Sequence, residues 1–422
     1  MNDKLKINRA RLLSRLDALG EIGRNSAGGI DRQLGSEADE KGRLWLRKCW
    51  QEELGLQVIA DGIANLWGMQ PSPSSSKPIL LGSHHDTVPN GGKYDGALGV
   101  LMATEILQTL QEQQVKLQHP LQLISFTGEE PNDFSVSTLG SKVLCGRLDA
   151  EQVSRMRHRR TGETLPQALA RLGGNIQEVD AARLAPNRIA AFLECHIEQG
   201  RILDEKRQAI APVSCITGIY REIITVCGES NHAGTTHYKD RQDALAAAAE
   251  IILAAETIMT KFDPAEIAAT VGRLKVVPNA SNIVPGKVML SLDLRTANPR
   301  LRQQALAFWQ EELANIQSRR SIKIQRELNL DQQEMPMDAE VIQALQDAAE
   351  STVQGTEPLV SMAGHDAANM ARLTKSGMLF VRTTEGYSHC PRETAPDDAI
   401  EIAANTLLQA VLLLDRRLDA DA

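Results

Sequence analysis

The sequence predicts an α/β fold in which a catalytic domain is interrupted by a smaller inserted domain. Short apolar strands alternate with helical segments through the first half of the chain, which is typical of a mainly parallel, mixed sheet with helices on both faces. The pattern changes near residue 212 and returns to helix, strand and helix after about residue 330. The 422 residues also exceed what one core usually covers. We therefore predict one domain at 1–211 and 329–422 and another at 212–328.

The elements of the predicted catalytic domain follow from hydrophobic periodicity. The N-terminal segment has an amphipathic helical pattern with Leu12, Leu13, Leu16 and Leu19 on or near one face. A second helix is predicted at 97–110, a strand at 378–381 and a C-terminal helix at 396–418. The remaining strands are predicted at 56–60, 63–69, 78–82, 121–126 and 190–196, with an exposed loop at 71–78. In such sheets, ligands bind at the carboxyl ends of the strands.

The predicted inserted domain has mixed or antiparallel strands. Its two helices are expected at about 241–260, where alanine is abundant, and at about 299–316. Its strands are expected near 209–216, 219–228, 267–276, 286–296 and 320–328.

Composition excludes several classes of function. A net charge of −8 and only 3% aromatic residues argue against nucleic-acid binding, which needs a basic face and stacking side chains. An apolar run of 18 residues is absent and the N-terminus is charged, so we expect a cytoplasmic protein without a membrane partner. The six cysteines form no CxxC pair, so neither a disulfide framework nor a zinc knuckle is indicated.

The segment GSHHDTVPNGGKYDG at 82–96 carries the first candidate metal ligands. His84 and Asp86 lie one strand alternation apart and can face the same side, where Asp86 would fix the setting of a ligating His84. Asp95 follows a glycine turn before a helix, which suits a ligand but also a simple N-cap. His85 faces the other way on a strand, so we do not expect it to bind metal.

Three further segments supply the remaining candidates. Glu129 and Glu130 directly follow a strand, so one carboxylate could bind metal while its neighbour transfers protons; the alternative is a solvated acidic loop. His196 ends another strand, where a lone histidine is more often structural. His389 lies in the turn-rich segment GYSHCPRE.

Together these residues predict a metal centre. Imidazole and carboxylate ligands without thiolates suit Zn²⁺, and also Mn²⁺, Co²⁺ or Ni²⁺. Two ions per subunit can be held if Asp95 bridges them. The five candidate ligands are His84, Asp95, Glu130, His196 and His389.

A second group of polar residues is expected to bind substrate. Arg295 could hold a carboxylate through two parallel hydrogen bonds, although a surface ion pair is an equal alternative. His232 and Asn282 could donate to an oxygen that becomes negative in the transition state. Gly364 and His365 form a glycine turn into a helix.

These motifs resemble the amidase, hydantoinase/carbamoylase family of dinuclear-metal hydrolases, which includes allantoate amidohydrolases, N-carbamoyl-L-amino-acid hydrolases and β-ureidopropionases. The similarity runs from about residue 15 to about residue 415. It is carried by GSHHDTVPNGGKYDG, EEPNDF, HIEQG, NHAGTT, PNASNIVPG, GHDA and SHCPRE, in the family's order and spacing.

The resemblance implies roles for individual residues. His84 and His196 would lie on different metals, with Asp95 bridging, Glu130 and His389 completing the set, and Glu129 as general base. The residues implied to contact substrate are Gln199, His232, Asn282, Arg295, Gly364 and His365. The inserted domain would serve as a lid and as the interface of a homodimer, which leaves open whether His232 and Asn282 act in their own subunit or across the dimer.

The sequence departs from the family pattern near the implied substrate residues. His237 and Tyr238 replace the Pro-Met that usually follows GTT, and Ile219-Tyr220 replaces a common Gln-Arg pair. Asp133 stands after EEPN, where the family often has Arg. The implied metal ligands are all present, so the departures bear on substrate choice.

The expected reaction is metal-dependent hydrolysis of the C–N bond of a ureido or carbamoyl group on a small carboxylate, such as allantoate or an N-carbamoyl-L-amino acid, with release of ammonia and CO₂. Two alternatives remain open at this point. One is peptide or N-acyl-amino-acid hydrolysis on the same scaffold, and the other is metal-dependent binding without turnover.

Overall fold

The computed structural model describes residues 5–70, 76–353 and 356–418. The chain forms two compact units, the first from Met1–Ser214, Met337–Leu359 and Gly364–Ala422, and the second from Cys215–Pro336 and Val360–Ala363. The predicted inserted domain, 212–328, begins three residues before and ends eight residues before the main segment of the second unit, Cys215–Pro336, and the exact domain boundaries stay a prediction. Most of the loop predicted at 71–78 lies outside the described residues.

The first part of the chain begins with an amphipathic helix, as predicted. Asn8 caps this helix by accepting a hydrogen bond from the Arg11 N–H, and Leu12, Leu16 and Leu19 are buried, whereas Leu13 is partly buried. The elements are α1 (Arg9–Gly20), α2 (Glu37–Lys48), β1 (Gln57–Ala60), β2 (Leu66–Met69), β3 (Ile79–His84), α3 (Ala97–Glu112), β4 (Leu121–Phe126), α4 (Leu139–Leu144), α5 (Ala150–Arg155), α6 (Leu165–Arg171), β5 (Ala191–Ile197), α7 (Ile202–Lys206) and β6 (Ile210–Ile216).

The middle of the chain forms the second unit. Its elements are β7 (Gly218–Cys227), β8 (Asn231–His232), α8 (Ala244–Lys261), β9 (Ile267–Thr270), β10 (Leu274–Val277), β11 (Ile283–Val284), β12 (Lys287–Thr296), α9 (Pro299–Arg320), β13 (Lys323–Gln332) and β14 (Met335–Pro336). The last part of the chain adds α10 (Ala339–Glu350), β15 (Leu359–Ser361), α11 (Ala367–Met370), β16 (Lys375–Val381) and α12 (Asp397–Leu418).

The large sheet of the first unit has the strand order β1-β2-β4-β3-β5-β16-β6. Its four central strands, β4, β3, β5 and β16, run parallel, whereas β1, β2 and β6 join antiparallel at the two sides. The predicted mixed sheet is therefore confirmed, with its parallel part confined to the centre. Every residue of β3 and β5 is buried, as expected for central parallel strands.

The core of the first unit packs helices against this sheet. Helix α3 is buried along almost its entire length, with Leu98, Leu101 and Leu107 in the same apolar cluster as the β3 and β5 side chains. Helices α1, α10 and α12 contribute to the same cluster. The carboxyl ends of the central strands are thus held by a continuous core.

The second unit contains a five-stranded antiparallel sheet with the order β10-β12-β7-β13, to which β9 also pairs through β12. Helices α8 and α9 cover it, and the buried Trp309 donates its indole N–H to Glu222 at 2.6 Å. The single strand predicted at 267–276 is wrong. Residues 271–273 stand opposite only 291–292, so the ladder is interrupted and two strands, β9 and β10, result.

Among the helices of the described residues, none combines the length and apolar character that a bilayer crossing requires.

A core substitution tests the packing of α3. Replacing Leu101 with Ala should lower the free energy of unfolding by about 2–5 kcal/mol, because a fully buried leucine leaves a cavity. Leu44→Ala is the matched control, since Leu44 is 65% exposed on α2 and its loss should cost less than about 0.5 kcal/mol. Urea unfolding followed by circular dichroism measures both; equal losses would contradict the assignment of this core.

Candidate metal centre

Histidines at the carboxyl ends of two neighbouring parallel strands begin the site. His84 is the last residue of β3, and His196 is the penultimate residue of β5. The register that pairs Leu81 with Leu193 brings the two histidines level, and their ring centroids lie 5.7 Å apart. Both imidazoles are buried.

Asp95 lies between these histidines and a second group of ligands. Its Oδ1 lies 3.4 Å from Nε2 of His84 and 3.2 Å from Nε2 of His196. Its Oδ2 lies 3.5 Å from Nε2 of His389, which in turn is 3.3 Å from Oε1 of Glu130. Two sets of donor atoms result, each with all members within 4.8 Å of one another: His84, Asp95 and His196, and Asp95, Glu130 and His389.

The division of the histidines corrects one implication of the resemblance. His84 and His196 were expected on different metals, but they belong to the same donor group. The physical reason is the register of β3 and β5, which places both rings side by side at one sheet edge. Asp95 alone is common to both groups, as a bridging ligand must be.

The position of Asp95 depends on the close approach of the Gly96 backbone to the His84 ring. Gly96, which precedes α3, has φ +63°, and a Cβ there would come within 2.3 Å of the His84 ring. Gly96 is the N-cap residue of α3, so the alternative that Asp95 serves only as the N-cap is wrong.

Main-chain carbonyls orient both strand histidines. Nδ1 of His84 lies 3.0 Å from the carbonyl oxygen of Asp86, and Nδ1 of His196 lies 2.9 Å from that of Ile197. A proton on Nδ1 directs each Nε2 lone pair toward Asp95, as a metal ligand requires.

The Asp86 carboxylate acts mainly on the acidic loop. It accepts hydrogen bonds from the backbone N–H groups of Glu129 at 3.2 Å and Glu130 at 3.1 Å, whereas it lies 3.6 Å from Nδ1 of His84. Both glutamates are buried, so the alternative of a solvated loop is wrong. Asp86 thus links the His84 strand to the glutamates.

Glu129 lies beside the donor groups without belonging to either. Its Oε2 is 3.8 Å from Nε2 of His84. Burial raises the pKa of the Glu129 carboxyl well above its usual value. A carboxyl group with a raised pKa next to metal ligands has the properties of a general base that later returns its proton.

The donor set fits divalent cations. Hydrogen bonds to Asp95 and Glu130 raise the pKa of His389 to about 11, so these carboxylates strongly favour positive charge at this position. Oε1 of Glu130 is buried and lies 3.3 Å from Nε2 of His389, but no contact among the described residues gives this oxygen a hydrogen bond of good geometry. A cation between Glu130, His389 and Asp95 would satisfy that oxygen and supply the charge, with oxygen and imidazole nitrogen as its ligands.

Two of the predicted substrate residues in the first unit border the centre directly. Gln199 has φ +59° and donates its amide N–H to Oδ2 of Asp95 at 2.6 Å. The His365 ring packs edge-on against His196, with centroids 4.5 Å apart, and it follows Gly364 at the entry to α11. Burial lowers the pKa of His365 well below its usual value, so the ring is neutral.

The other predicted substrate residues belong to the second unit. His232 pairs with Ile283 in the small β8–β11 sheet and is exposed, as is Asn282. Arg295 forms a two-pronged ion pair with Asp293, at 2.7 and 3.2 Å, and donates Nη1 to the carbonyl of Met362 at 3.0 Å. Arg295 therefore does form an ion pair, the alternative to a substrate-binding role that the sequence left open.

Several buried polar residues around the site, among them Glu393 and Asp39, have no role in the sequence-based prediction. Glu393, the last residue of SHCPRE, accepts hydrogen bonds from the N–H groups of Tyr94 and Asp95, and burial raises its pKa to about 7. His85, which belongs to neither donor group, pairs with the buried Asp39 at 2.9 Å. The motif that contains Glu393 was visible, but its bond to the Asp95 loop depends on tertiary structure.

Residues 80–413 match the model of peptidase family M20/M25/M40. The chain belongs to this family. Within the M20 family, it is similar to an N-carbamoyl-L-amino-acid amidohydrolase of Pseudomonas sp. (strain NS671), with 32% identity covering 96% of this chain and 98% of that protein. An allantoate amidohydrolase of Bacillus subtilis (strain 168) is 32% identical, covering 93% of this chain and 94% of the relative.

Solved structures agree with these relatives. A hydantoinase/carbamoylase family amidase from Burkholderia multivorans superimposes with a TM-score of 0.87 at 30% identity, covering 97% of this M20 family chain and 98% of that chain. The resemblance found in the sequence motifs is thereby confirmed, and with it the α/β fold.

Substitutions at the centre should separate the shared ligand from an unshared one. Asp95→Ala is expected to abolish binding of both ions, because Asp95 belongs to both donor groups, whereas His389→Ala should remove one. Bound metal is measured by elemental analysis after dialysis against Zn²⁺. His158→Ala, outside both groups, is the control; an Asp95→Ala protein that keeps as much metal as the control would contradict a bridging role.

Proposed function

We propose that this M20 family member is a metal-dependent amidohydrolase that cleaves the linear C–N bond of a ureido or carbamoyl group on a small carboxylate. The observation that carries the proposal is the pair of donor groups sharing Asp95, with the buried Glu129 3.8 Å from His84. Relatives named for allantoate and for N-carbamoyl-L-amino acids, both 32% identical over nearly the full chain, support this substrate class.

The centre is proposed to hold two divalent ions, Zn²⁺ or alternatively Mn²⁺, Co²⁺ or Ni²⁺, through His84, Asp95, Glu130, His196 and His389. When bound, such ions lower the pKa of a coordinated water toward neutrality and polarise a carbonyl group. The absence of thiolates from the donor set supports oxygen- and nitrogen-preferring cations of this kind.

Glu129 is proposed to move the proton. It takes a proton from the attacking water and delivers it to the leaving nitrogen, so that one water is consumed when the first C–N bond breaks. The carbamic acid that results then splits into CO₂ and the second nitrogen product without a second water. For an N-carbamoyl-L-amino acid the products are ammonia, CO₂ and the amino acid; for allantoate they are ammonia, CO₂ and ureidoglycine. Asp86 would keep Glu129 in place through its bond to the Glu129 N–H.

The substrate carboxylate is proposed to bind Arg295. Its Nε and Nη2 are held by Asp293 and its Nη1 by the Met362 carbonyl, and together these contacts fix the plane of the guanidinium for a further carboxylate. We further propose Gln199, Gly364 and His365 as substrate contacts and His232 and Asn282 as donors to the developing negative oxygen, where one good donor contributes about 3–4 kcal/mol.

A second candidate function is peptide or N-acyl-amino-acid hydrolysis. The observation that favours it is the match to a family described as peptidases. Purified enzyme loaded in turn with Zn²⁺, Mn²⁺ and Co²⁺ should release ammonia from allantoate, N-carbamoyl-L-amino acids or 3-ureidopropionate. Turnover of dipeptides or N-acetyl amino acids without activity on any ureido compound would favour this second function.

A conservative substitution tests the role of Glu129. Glu129→Gln should reduce kcat at least about 100-fold while leaving bound metal near the wild-type amount, because the residue transfers protons but belongs to neither donor group. Ammonia release and elemental analysis on the same samples measure the two effects. Glu151→Gln, an exposed glutamate on α5, is the control; unchanged turnover in Glu129→Gln would remove the assignment of the base.

We also propose a homodimeric assembly and a reducing, cytoplasmic location. The exposed face of α8 carries Leu245 and Leu253, 37% and 58% exposed, with Ala249 between them, and Tyr238 nearby in sequence is 89% exposed. Apolar surface of this kind on one helix supports a subunit interface. All six cysteines are free, which supports a reducing compartment.

The mass in solution tests the assembly. Light scattering should give the mass of two chains for the wild type and of one chain for Leu253→Glu, because a charge on the apolar face of α8 opposes association. Leu44→Glu, which changes an exposed leucine of the first unit, should remain dimeric. A wild-type protein with the mass of one chain would rule out the dimer.

A further inference from the structure

The two donor groups are built on different kinds of scaffold. In the first group, His84 and His196 extend from buried, hydrogen-bonded parallel strands, and main-chain carbonyls hold both rings. In the second group, His389 comes from a loop after β16, its side chain is 47% exposed and its backbone has φ +57°. The second group therefore needs a support that the sheet does not supply.

Glu393 forms hydrogen bonds between the His389 loop and the Asp95 loop. Its Oε1 accepts hydrogen bonds from the backbone N–H groups of Tyr94 at 2.9 Å and Asp95 at 3.0 Å. Its Oε2 accepts from the Ser388 hydroxyl at 3.2 Å, and that hydroxyl also lies 2.9 Å from Oδ2 of Asp95. The buried Glu393 carboxylate thus ties the loop that carries His389 to the loop that carries the shared Asp95.

The chain leaves room for this contact at Gly92. A Cβ at that position would lie 2.1 Å from the Glu393 carboxyl carbon, so any larger residue would displace the carboxylate. Gly92 in NGGKYDG and the final glutamate of SHCPRE, far apart in sequence, are therefore parts of one arrangement.

We propose that Glu393 is a positioning residue that assembles the second donor group, and that metal affinity there depends on it far more than affinity at the first group. Loss of its carboxylate frees the Asp95 and His389 loops from each other, which disturbs two of the three ligands in the second group. In the first group only Asp95 loses a support, because His84 and His196 remain fixed by their strands. This inference rests on the proposed two-ion centre.

The experiment measures metal affinity on the full-length protein. Metal-free wild type, Glu393→Ala and Glu393→Gln are titrated with Zn²⁺ against a chromogenic chelator, which gives the number of ions and both dissociation constants. One ion of Glu393→Ala should bind about 10–100-fold less tightly than in wild type, the range typical for loss of a residue that orients metal ligands. The other ion should change by less than about 3-fold, and Glu393→Gln should lose less because its carbonyl oxygen keeps the two N–H bonds.

Asp415 offers a matched control. It is a carboxylate on α12, 5% exposed like Glu393, that also accepts two backbone N–H bonds, from Gln118 at 3.1 Å and His119 at 2.8 Å. Asp415→Ala should leave both dissociation constants unchanged. If Glu393→Ala does not fold, Ser388→Ala replaces it, and the same selective weakening of one ion is expected.

The outcomes separate this inference from the function on which it rests. Two ions in wild type with unaltered affinities in Glu393→Ala would overturn the role of Glu393 alone, as would equal weakening of both ions. Fewer than two ions in wild type would overturn the two-ion centre itself.

Discussion

The centre depends on a single carboxylate whose two oxygens face in different directions. Oδ1 of Asp95 lies within 3.4 Å of two imidazoles, and Oδ2 lies within 3.5 Å of a third. Burying such a group is costly unless opposite charge compensates it. Several contacts hold Asp95 in place. Gly96 allows the backbone next to Asp95 to approach the His84 ring closely. Gln199 and Ser388 donate hydrogen bonds to Oδ2 of Asp95, and Glu393 accepts one from its backbone N–H.

Hydrophobic periodicity in the sequence was sufficient to predict most of the helices and strands. The central strand β4 was predicted with the correct bounds because four of its six residues, LQLISF, are apolar and five of the six are buried. The strand predicted at 267–276 was wrong because the ladder with β12 is interrupted at 271–273, and the register with that partner strand determines the interruption. The strand predicted near 320–328 continues to Gln332 as β13, because its mostly exposed residues form no apolar pattern that marks its end.

The candidate ligands could be identified from sequence because each follows a strand or a glycine turn in a recognisable motif. Their grouping could not, because it depends on which strands are neighbours and on their register. His84 and His196 belong together for that reason alone. Residues such as Glu393 and Asp39 could not be predicted, because a buried carboxylate that accepts backbone N–H bonds has no local pattern that distinguishes it from a surface acid.

The level alignment of β3 and β5 has a consequence for how this centre can change over evolutionary time. Side chains alternate between the faces of a sheet, so a one-residue insertion or deletion within either strand would turn its histidine to the opposite face. Length variation among relatives should therefore accumulate in loops such as the one between β2 and β3, while the distance from the start of each of these two strands to its histidine stays fixed. We therefore expect the metal centre to tolerate insertions in the surrounding loops more readily than insertions within β3 or β5.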